Sequence, residues 1–255
     1  MDRIDSPANP RVIAARRALD RGEVMPIEGI RMLREALEAG IRPESVFFLE
    51  DENAGERAAQ EAAARGARLF PSSSRVLRKL SDLPSSRELV ALAPPPRHAH
   101  ADIHLSKKSL VVLLDGVQDP ANVGAIVRSA EAFGVEALLL TAGSASPFSA
   151  RALRASAGSA FRIPVVTSLA VTEAIGWARR EGATLAGADA HRGEPAETAA
   201  GLRPLVLVVG SEARGFSDIL ASALDRRLTV SMKGRIESLN AAVAAGVLLD
   251  RLTRN

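Results

Sequence analysis

Two long apolar runs constrain the fold of this chain more than any other feature of its sequence. Residues 110–114 and 205–209 contain only Leu and Val, and the runs end abruptly at Asp115 and Gly210. A continuous apolar run of this length is typical of a strand buried on both faces of a parallel sheet. Ligand sites in such α/β proteins lie at the carboxyl ends of the strands, so the residues that follow these runs are the first candidates for function.

Predicted helices and strands alternate on both sides of a proline-rich break. Before it, we predict helices at 11–19, 27–40, 56–65 and 74–80 and strands at 45–49, 67–70 and 88–93. After it, we predict strands at 110–116, 137–141, 161–166, 183–189, 205–210 and 228–232 and helices ending at 134, 181 and 254. Three consecutive prolines at 94–96 favour an extended spacer. The sequence therefore predicts a small α/β domain over 1–97, a linker over 98–106 and a second α/β domain over 107–255.

Composition excludes several classes of protein. The chain has 255 residues, 47% of them hydrophobic and 25% charged, which is typical of a soluble globular protein. No apolar run approaches the ~20 residues that span a bilayer, and the N-terminus has no signal-like apolar segment. The absence of Cys excludes disulfides, thiolate metal sites and a Cys nucleophile. We therefore expect a cytoplasmic protein without a membrane partner.

The basic residues permit a nucleic-acid partner without demonstrating one. Arg supplies 29 of the 33 basic side chains. Arg is the better bidentate phosphate ligand, but a GC-rich genome would favour the same composition. If the N-terminal domain binds RNA, its candidate contacts are Arg11, Arg16, Arg17, Arg75, Arg78 and Lys79.

The first candidate motif is the segment 119–128, which follows the first apolar run. Asn122 occupies the position expected for a helix N-cap, and Arg128 is the one cation on an otherwise apolar helix face. Each also has a purely structural interpretation, as a cap and as a surface Arg. The loop before this helix lacks G-x-G-x-x-G, and no Walker A sequence occurs, so ordinary dinucleotide or NTP binding is disfavoured.

Two further candidate motifs follow later strands. Glu212 comes directly after the second apolar run, although G-x-E-x-x-G could also be a simple turn. Ser238 could cap the last helix and Asn240 could lie in its first turn, where free N–H groups favour an anion. The linker histidines at 98, 100 and 104 have no acidic or thiol partner at ligand spacing, so we expect no metal site.

The order and spacing of these motifs resemble a known family. The segments NVGAIVRSAEAFG, GSEARGFS and MKGRIESLNAAVAAG, with RASAGSAF between the first two, resemble the SpoU (TrmH-type) branch of the SPOUT RNA methyltransferases. IEGIRMLREALEAG is similar to the RNA-binding substrate domain, of ribosomal-protein-like α/β fold, that precedes the catalytic domain in many members. One departure is Val-Ser-Met at 230–232, where the family usually has Ile-Pro-Met.

The resemblance implies a fold, a reaction and a set of site residues. It implies a parallel α/β sheet threaded into a trefoil knot, homodimers with sites at the subunit interface, and methyl transfer from S-adenosylmethionine to a ribose 2′-hydroxyl, here in 23S ribosomal RNA. The implied catalytic positions are Asn122, Arg128, Glu212, Ser238 and Asn240, and the implied cofactor positions are Gly210, Val230, Met232 and Leu239.

Several alternatives stay open at this point. Arg128 is either a general base for the 2′-hydroxyl or a charged group that stabilises the forming alkoxide, since an Arg is almost never deprotonated in proteins. The substrate could instead be a transfer RNA, although the compact tRNA members generally lack an N-terminal domain. A non-catalytic RNA-binding relative would be expected to lose motif residues. A small-molecule α/β enzyme is the remaining alternative, and titration with S-adenosylmethionine tests it, since an absence of binding would exclude the methyltransferase.

Overall fold

A computed structural model describes residues 3–50, 53–82, 88–232 and 234–254. The chain forms two compact units. The first combines Met1–Pro96 with Phe148–Phe161, and the second combines Arg97–Pro147 with Arg162–Asn255. The segment 148–161, which the sequence places in the C-terminal domain, thus groups with the N-terminal residues. The predicted domain boundaries stay predictions.

Helices and strands alternate through both units. The helices are α1 (Pro10–Asp20), α2 (Ile30–Glu38), α3 (Asn53–Ala63), α4 (Ser74–Leu80), α5 (Pro120–Ala132), α6 (Ala150–Ser156), α7 (Val171–Arg180), α8 (Asp218–Ala223) and α9 (Ala241–Thr253). The strands are β1 (Met25–Glu28), β2 (Ser45–Leu49), β3 (Arg68–Ser72), β4 (Leu89–Ala93), β5 (Leu110–Asp115), β6 (Ala137–Thr141), β7 (Val165–Leu169), β8 (Thr184–Ala188), β9 (Glu194–Pro195), β10 (Leu205–Gly210) and β11 (Arg226–Thr229). Short 3-10 helices lie at His100–Asp102, Ser159–Phe161 and Ala196–Ala199.

The first unit is built on a sheet with the strand order β1-β4-β2-β3. β2 and β3 are parallel, whereas β4 is antiparallel to both of its neighbours. Val12 of α1 and Leu77 of α4 are buried in one core cluster with Phe47 of β2. α1 and α4 therefore pack side by side over the sheet, and their exposed faces are neighbours.

The predicted helix over 27–40 begins too early. Ile27 belongs to β1, where it pairs with Ala91 of the antiparallel strand β4. The helix starts at Ile30, after Gly29, whose φ of 86° lies in the left-handed region. A residue with this backbone conformation cannot continue a right-handed helix. The pairing partner of β1 lies far away in the sequence, so the helical spacing of nearby apolar residues could not reveal the strand.

The second unit confirms the predicted parallel α/β sheet. Its strand order is β7-β6-β5-β10-β8-β11-β9, and the paired strands are parallel. β5 and β10 are neighbours in register from Leu110 opposite Leu205 to Asp115 opposite Gly210. The two apolar runs thus end side by side at one edge of the sheet. The trefoil knot stays a prediction.

Two of the predicted strands are displaced along the sequence. The strand predicted over 161–166 begins only at Val165, because Phe161 closes a short 3-10 helix. The strand predicted over 228–232 ends at Thr229, which pairs with Pro195, the last residue of the two-residue strand β9. β11 has no ladder partner beyond this point, so residues 230–232 leave the sheet.

Trp177 lies in the core of the second unit. Its side chain is buried among residues of the sheet and α7, and its indole N–H donates to the carbonyl of Ile103 at 3.0 Å. Over the described ranges, no helix is long and apolar enough to cross a membrane. The same residues contain no group of three or more His, Asp or Glu placed to hold a metal ion.

Candidate active site

The three candidate motifs leave the same edge of the second sheet. The first follows β5, the second follows β10, and the third follows β11, and these parallel strands lie close together in the sheet. The carboxyl ends of parallel strands share one edge, which is the usual location of a ligand site in this class of fold. The topology therefore brings distant segments of sequence to one place.

Asn122 lies inside helix α5 and does not cap it. The cap is Asp119, whose carboxylate accepts from the backbone N–H of Ala121 at 3.0 Å, and Pro120 is the first helical residue. Proline fits that position because it has no N–H to satisfy and its φ is already helical. The side chain of Asn122, in the first turn, is thereby left available for other partners.

Asn240 caps helix α9, a role that the sequence analysis considered for Ser238. Its side-chain oxygen accepts from the backbone N–H groups of Ala242 at 2.9 Å and Val243 at 3.3 Å. The helix begins at Ala241, so Asn240 precedes its first turn instead of lying within it. Because capping uses the oxygen of Asn240, the amide nitrogen must point away from the helix.

A chain of hydrogen bonds joins Asn122, Glu212 and Asn240. Asn122 donates through Nδ2 to Oε1 of Glu212 at 2.6 Å, and Asn240 donates through Nδ2 to Oδ1 of Asn122 at 2.9 Å. A carboxylate can only accept, so Glu212 fixes which way the amide of Asn122 points. The cap fixes the amide of Asn240 in turn. Three of the five predicted catalytic residues, one from each motif, thus form one oriented group.

Glu212 is carried by a tight hairpin, residues 211–215. The backbones of Ser211 and Gly215 exchange two hydrogen bonds of 2.9 Å, and Arg214 donates its backbone N–H to the hydroxyl of Ser211 at 3.1 Å. A Cβ at Gly210 would meet the carbonyl carbon of Gly215 at 2.5 Å. Only glycine allows the hairpin to fold back this closely on the end of β10.

Asp115 is a structural residue that the sequence analysis did not single out. Its buried carboxylate accepts from the hydroxyl of Thr141 at 3.0 Å and from the backbone N–H of Ser217 at 2.7 Å. It therefore ties β5 both to β6 and to the chain that follows the hairpin. The available signal was an acidic residue at the end of a fully apolar strand, where a carboxylate requires partners.

Arg128 and Ser238 lie outside this hydrogen-bonded group. Arg128 is exposed on α5, six residues after Asn122, which places it about 9 Å further along the helix axis and on another face. No ion pair or hydrogen bond joins its side chain to the described residues. Ser238 is exposed two residues before the cap of α9 and is likewise without a partner there. Both side chains are thus available to a substrate.

The predicted cofactor positions offer two kinds of contact. Val230, Met232 and Leu239 are half-buried, so each presents part of an apolar side chain to solvent. The backbone groups of 230–232 and 234–239 make no hydrogen bond to other described residues. Free N–H and C=O groups beside partly exposed apolar side chains suit a ligand that has both polar edges and apolar faces.

Asp189 stabilises the turn that follows β8 at the same edge of the sheet. Its carboxylate accepts from the backbone N–H groups of His191 and Arg192, each at 2.9 Å, and pairs with Arg227 at 2.8 Å. Burial by itself raises the pKa of Asp189, but these N–H donors and the guanidinium outweigh it, so the net pKa lies below its ordinary value. The turn is therefore held by an ionised carboxylate.

Comparison with known proteins identifies the family. The SpoU rRNA Methylase family matches residues 109–250, more than half of the chain. The chain belongs to this family. A second match, to the MRM3-like substrate binding domain, covers residues 11–91. An uncharacterized tRNA/rRNA methyltransferase of Mycobacterium tuberculosis is 36% identical to this SpoU protein over 260 residues, which are 97% of this chain and 80% of the relative.

Solved structures resemble the SpoU chain over almost its whole length. An AdoMet-bound rRNA methyltransferase from Sinorhizobium meliloti has a TM-score of 0.86 and 26% identity, and the match covers 98% of this chain and 97% of that one. An RNA 2′-O ribose methyltransferase has a TM-score of 0.81 and 30% identity, with 98% of each chain covered. A structure described by its 2-OH methylation of tRNA matches at a TM-score of 0.50 and 27% identity, over 58% of this chain and 95% of that one.

These matches confirm the predicted family and the predicted fold class. The SpoU chain is an RNA methyltransferase with an additional N-terminal substrate-binding domain. The roles of individual residues stay predictions, and the geometry above supports some of them more strongly than others. Asn122, Glu212 and Asn240 are brought together, whereas Arg128 and Ser238 are not part of that group.

Proposed function

We propose that this chain transfers a methyl group from S-adenosylmethionine to a ribose 2′-hydroxyl of 23S ribosomal RNA. The observation that carries the proposal is the hydrogen-bonded group of Asn122, Glu212 and Asn240, because it unites the three motifs at the expected edge of the sheet. The names of two matched structures, an AdoMet-bound rRNA methyltransferase and an RNA 2′-O ribose methyltransferase, support the same reaction.

The cofactor segment fits S-adenosylmethionine. Adenine has hydrogen-bonding edges and apolar faces, which match the free backbone groups of 230–232 and the half-exposed side chains of Val230, Met232 and Leu239. When bound, the cofactor supplies an electrophilic methyl group on a sulfonium centre. We expect calorimetric titration of the protein with S-adenosylmethionine to show saturable binding, and an absence of binding would exclude the proposed reaction.

Glu212 is the group best placed to orient a ribose. Its Oε1 is taken by Asn122, whereas Oε2 has no partner among the described residues. A ribose hydroxyl that donates to Oε2 would have its oxygen lone pairs held in a fixed direction. The exposed hydroxyl of Ser238 offers a second contact that can donate or accept.

Arg128 is proposed to stabilise charge on the ribose oxygen. Its guanidinium is exposed and is not engaged by any described carboxylate, so its charge is available to a substrate. In the alternative, Arg128 removes the proton itself. A pH–rate profile of single-turnover methylation separates the two: the electrostatic role predicts that Arg128→Ala lowers the rate at every pH. Loss of a titration seen in the wild type, with RNA affinity retained, would support the base role.

We further propose that the chain acts as a homodimer and that Arg128 serves the site of the partner. Within one chain Arg128 lies away from the group that contains Asn240, which motivates the proposal. Mixing Arg128→Ala and Asn240→Ala chains, each of them slow by itself, tests it directly. If Arg128 acts across the interface, mixed dimers contain one complete site and regain activity. If it acts within its own chain, every site lacks one residue and activity stays low.

The RNA surface of the first unit is proposed to lie on the neighbouring exposed faces of α1 and α4. The cations on these faces without a described carboxylate partner are Arg11, Arg17, Arg75, Arg78 and Lys79. The guanidinium of Arg11 lies 5.4 Å from the ring centroid of Phe70, which holds it over the sheet. The sixth predicted contact, Arg16, is instead paired with Asp20 at 2.7 Å and Asp82 at 2.8 Å.

The contrast between the unpaired cations and the ion-paired Arg16 provides a test variant and a matched control. Replacing Arg75 and Arg78 by Ala should weaken RNA binding and reduce its salt dependence, because each phosphate contact adds about 0.7–0.9 to the slope of log K against log salt. Arg16→Ala removes a cation of the same helix layer whose charge is already neutralised, so it should leave the slope unchanged. Equal slopes for the double variant and the wild type would place the RNA elsewhere.

Ribosomal RNA is favoured over transfer RNA by the N-terminal unit. The matched tRNA 2-OH methylation structure corresponds to 58% of this chain but 95% of its own, so much of this chain has no counterpart in it. The substrate-binding match over 11–91 belongs to the N-terminal unit. The test is to map 2′-O-methyl groups in 23S ribosomal RNA and in transfer RNA from cells with and without the gene. We expect one ribosomal site to disappear, and loss of a tRNA site instead would favour the alternative substrate.

A further inference from the structure

The geometry points to Arg214 as a phosphate-binding residue for the RNA strand that carries the target ribose, an inference that rests on the function proposed above. Arg214 lies in the hairpin 211–215, two residues after Glu212. Its backbone N–H is bound to the hydroxyl of Ser211, and its side chain is exposed. The hairpin therefore presents a carboxylate and a guanidinium at the same edge of the sheet.

The position of Arg214 relative to the site is fixed by its hairpin. The hairpin closes by two backbone hydrogen bonds between Ser211 and Gly215 and packs directly on Gly210. Two residues beyond the hairpin, Ser217 is bound to the buried Asp115. On the other side, Glu212 is bound to Asn122. The backbone that carries Arg214 is thus anchored to β5, β10 and α5, so the guanidinium explores only the reach of its own side chain.

The guanidinium of Arg214 is free within the part of the chain that the structure describes. No described residue forms an ion pair or a hydrogen bond with its side chain. Six other arginines of this unit pair with carboxylates, namely Arg162, Arg179, Arg226, Arg227, Arg251 and Arg254. A free cation held next to the candidate site can bind an incoming anion without first breaking an internal pair.

An RNA phosphate is the anion that suits this position best. Each ribose in an RNA strand is flanked by two phosphates, so a ribose bound at Glu212 brings a phosphate close to a residue two positions away. The planar fork of Arg binds phosphate oxygens bidentately. The carboxylate of S-adenosylmethionine is the other anion of the reaction, but three of the four predicted cofactor positions, Val230, Met232 and Leu239, lie on another segment. The fourth, Gly210, precedes the hairpin, so the cofactor affinity of an Arg214 variant distinguishes the two anions. The inference commits to the phosphate.

The test compares Arg214→Ala with Arg180→Ala. Arg180 is also exposed and unpaired within the described residues. It ends α7, which runs from the end of β7 back to the start of β8, so it lies at the opposite edge of the sheet. The probe is deproteinised 23S ribosomal RNA from cells that lack the gene. Binding is measured between about 50 and about 200 mM salt, with single-turnover methylation and S-adenosylmethionine affinity measured in parallel.

We expect Arg214→Ala to weaken RNA binding about three- to tenfold at low salt and to reduce the salt slope by roughly 0.7–0.9. In Arg214→Ala, the methylation rate at saturating RNA and the affinity for S-adenosylmethionine should stay near wild type. Arg214→Lys should keep most of the salt slope, and Arg180→Ala should keep all of it. An unchanged salt slope in Arg214→Ala overturns the inference but not the proposed function. The same holds if Arg214→Ala loses affinity for S-adenosylmethionine instead of affinity for RNA. A wild-type protein that methylates no RNA overturns the proposed function and the inference together.

Discussion

Asn240 performs two roles that one pair of substitutions can separate. Its oxygen caps α9, and its amide nitrogen donates to Asn122, which in turn donates to Glu212. Asn240→Asp keeps an acceptor for the cap but replaces the donor with a second acceptor. The oxygen of Asn122 would then face a carboxylate. If the amide of Asn122 rotates to compensate, the same oxygen faces Glu212 instead.

The two roles differ in their expected magnitudes. Loss of an N-cap costs about 0.5–2 kcal/mol of folding free energy, so Asn240→Ala should be destabilised by about that amount. Asn240→Asp should be more stable than Asn240→Ala by about the same amount, because an aspartate caps a helix as well as asparagine and suits the helix dipole. If the amide of Asn122 rotates, it loses its hydrogen bond to the charged Glu212, and such a bond contributes about 1.5–3 kcal/mol. If the transition state requires the present orientation of the Asn122 amide, methylation by Asn240→Asp should fall roughly 10- to 150-fold.

Urea unfolding and single-turnover methylation together distinguish the two roles. The expected result is a stable, slow Asn240→Asp variant and a less stable, slow Asn240→Ala variant. Asn240→Ser serves as a control, since a serine can cap the helix but lacks the amide group. Wild-type methylation by Asn240→Asp would refute the role of the hydrogen-bond chain, and unchanged stability of Asn240→Ala would refute the role of the cap.

Three other substitutions test the architecture around the site. Gly210→Ala should displace the hairpin, because its Cβ would lie 2.5 Å from Gly215. We expect a loss of about 1–3 kcal/mol in urea unfolding and weaker S-adenosylmethionine binding by calorimetry. Asp115→Ala should cost about 1–3 kcal/mol by the same unfolding assay, because it removes the acceptor of the Ser217 N–H. The pKa of Asp189 is lowered in the folded protein, so its stabilisation is present above the unfolded value of about 3.9 and is lost as the pH falls through the folded pKa. The stability difference between wild type and Asp189→Asn, measured by unfolding, should therefore shrink on acidification, and a difference that stays constant would contradict this sign.

The parts of the fold that were predictable are those encoded by local patterns. The runs 110–114 and 205–209 predicted two buried parallel strands, and the structure pairs them in register. The helix predicted over 27–40 starts too early because Ile27 belongs to β1. The strand that pairs with β1 lies more than sixty residues away, so no local spacing reveals the pairing. The strand predicted over 228–232 ends too late for a similar reason, since its end is set by the short partner β9.

The candidate site was predictable in its residue types but not in its connections. The order of the motifs was enough to nominate Asn122, Glu212 and Asn240, but hydrogen bonds over 90 and 118 residues of sequence follow only from the sheet order. The capping roles were misassigned, although Pro120 after Asp119 was a usable signal for the true start of α5. Asp115 was missed because a residue at the end of an apolar strand was interpreted as a boundary rather than as an anchor.

The chemical position of the transferred methyl group is the most direct test of the proposed function. The purified protein is incubated with S-adenosylmethionine labelled in its methyl group and with 23S ribosomal RNA from cells that lack the gene. The RNA is then hydrolysed with alkali, which cleaves only where a free 2′-hydroxyl is present. The account predicts that the label is recovered in an alkali-resistant dinucleotide, and that Asn240→Asp lowers this yield. Recovery of the label in mononucleotides, as a methylated base, would contradict it.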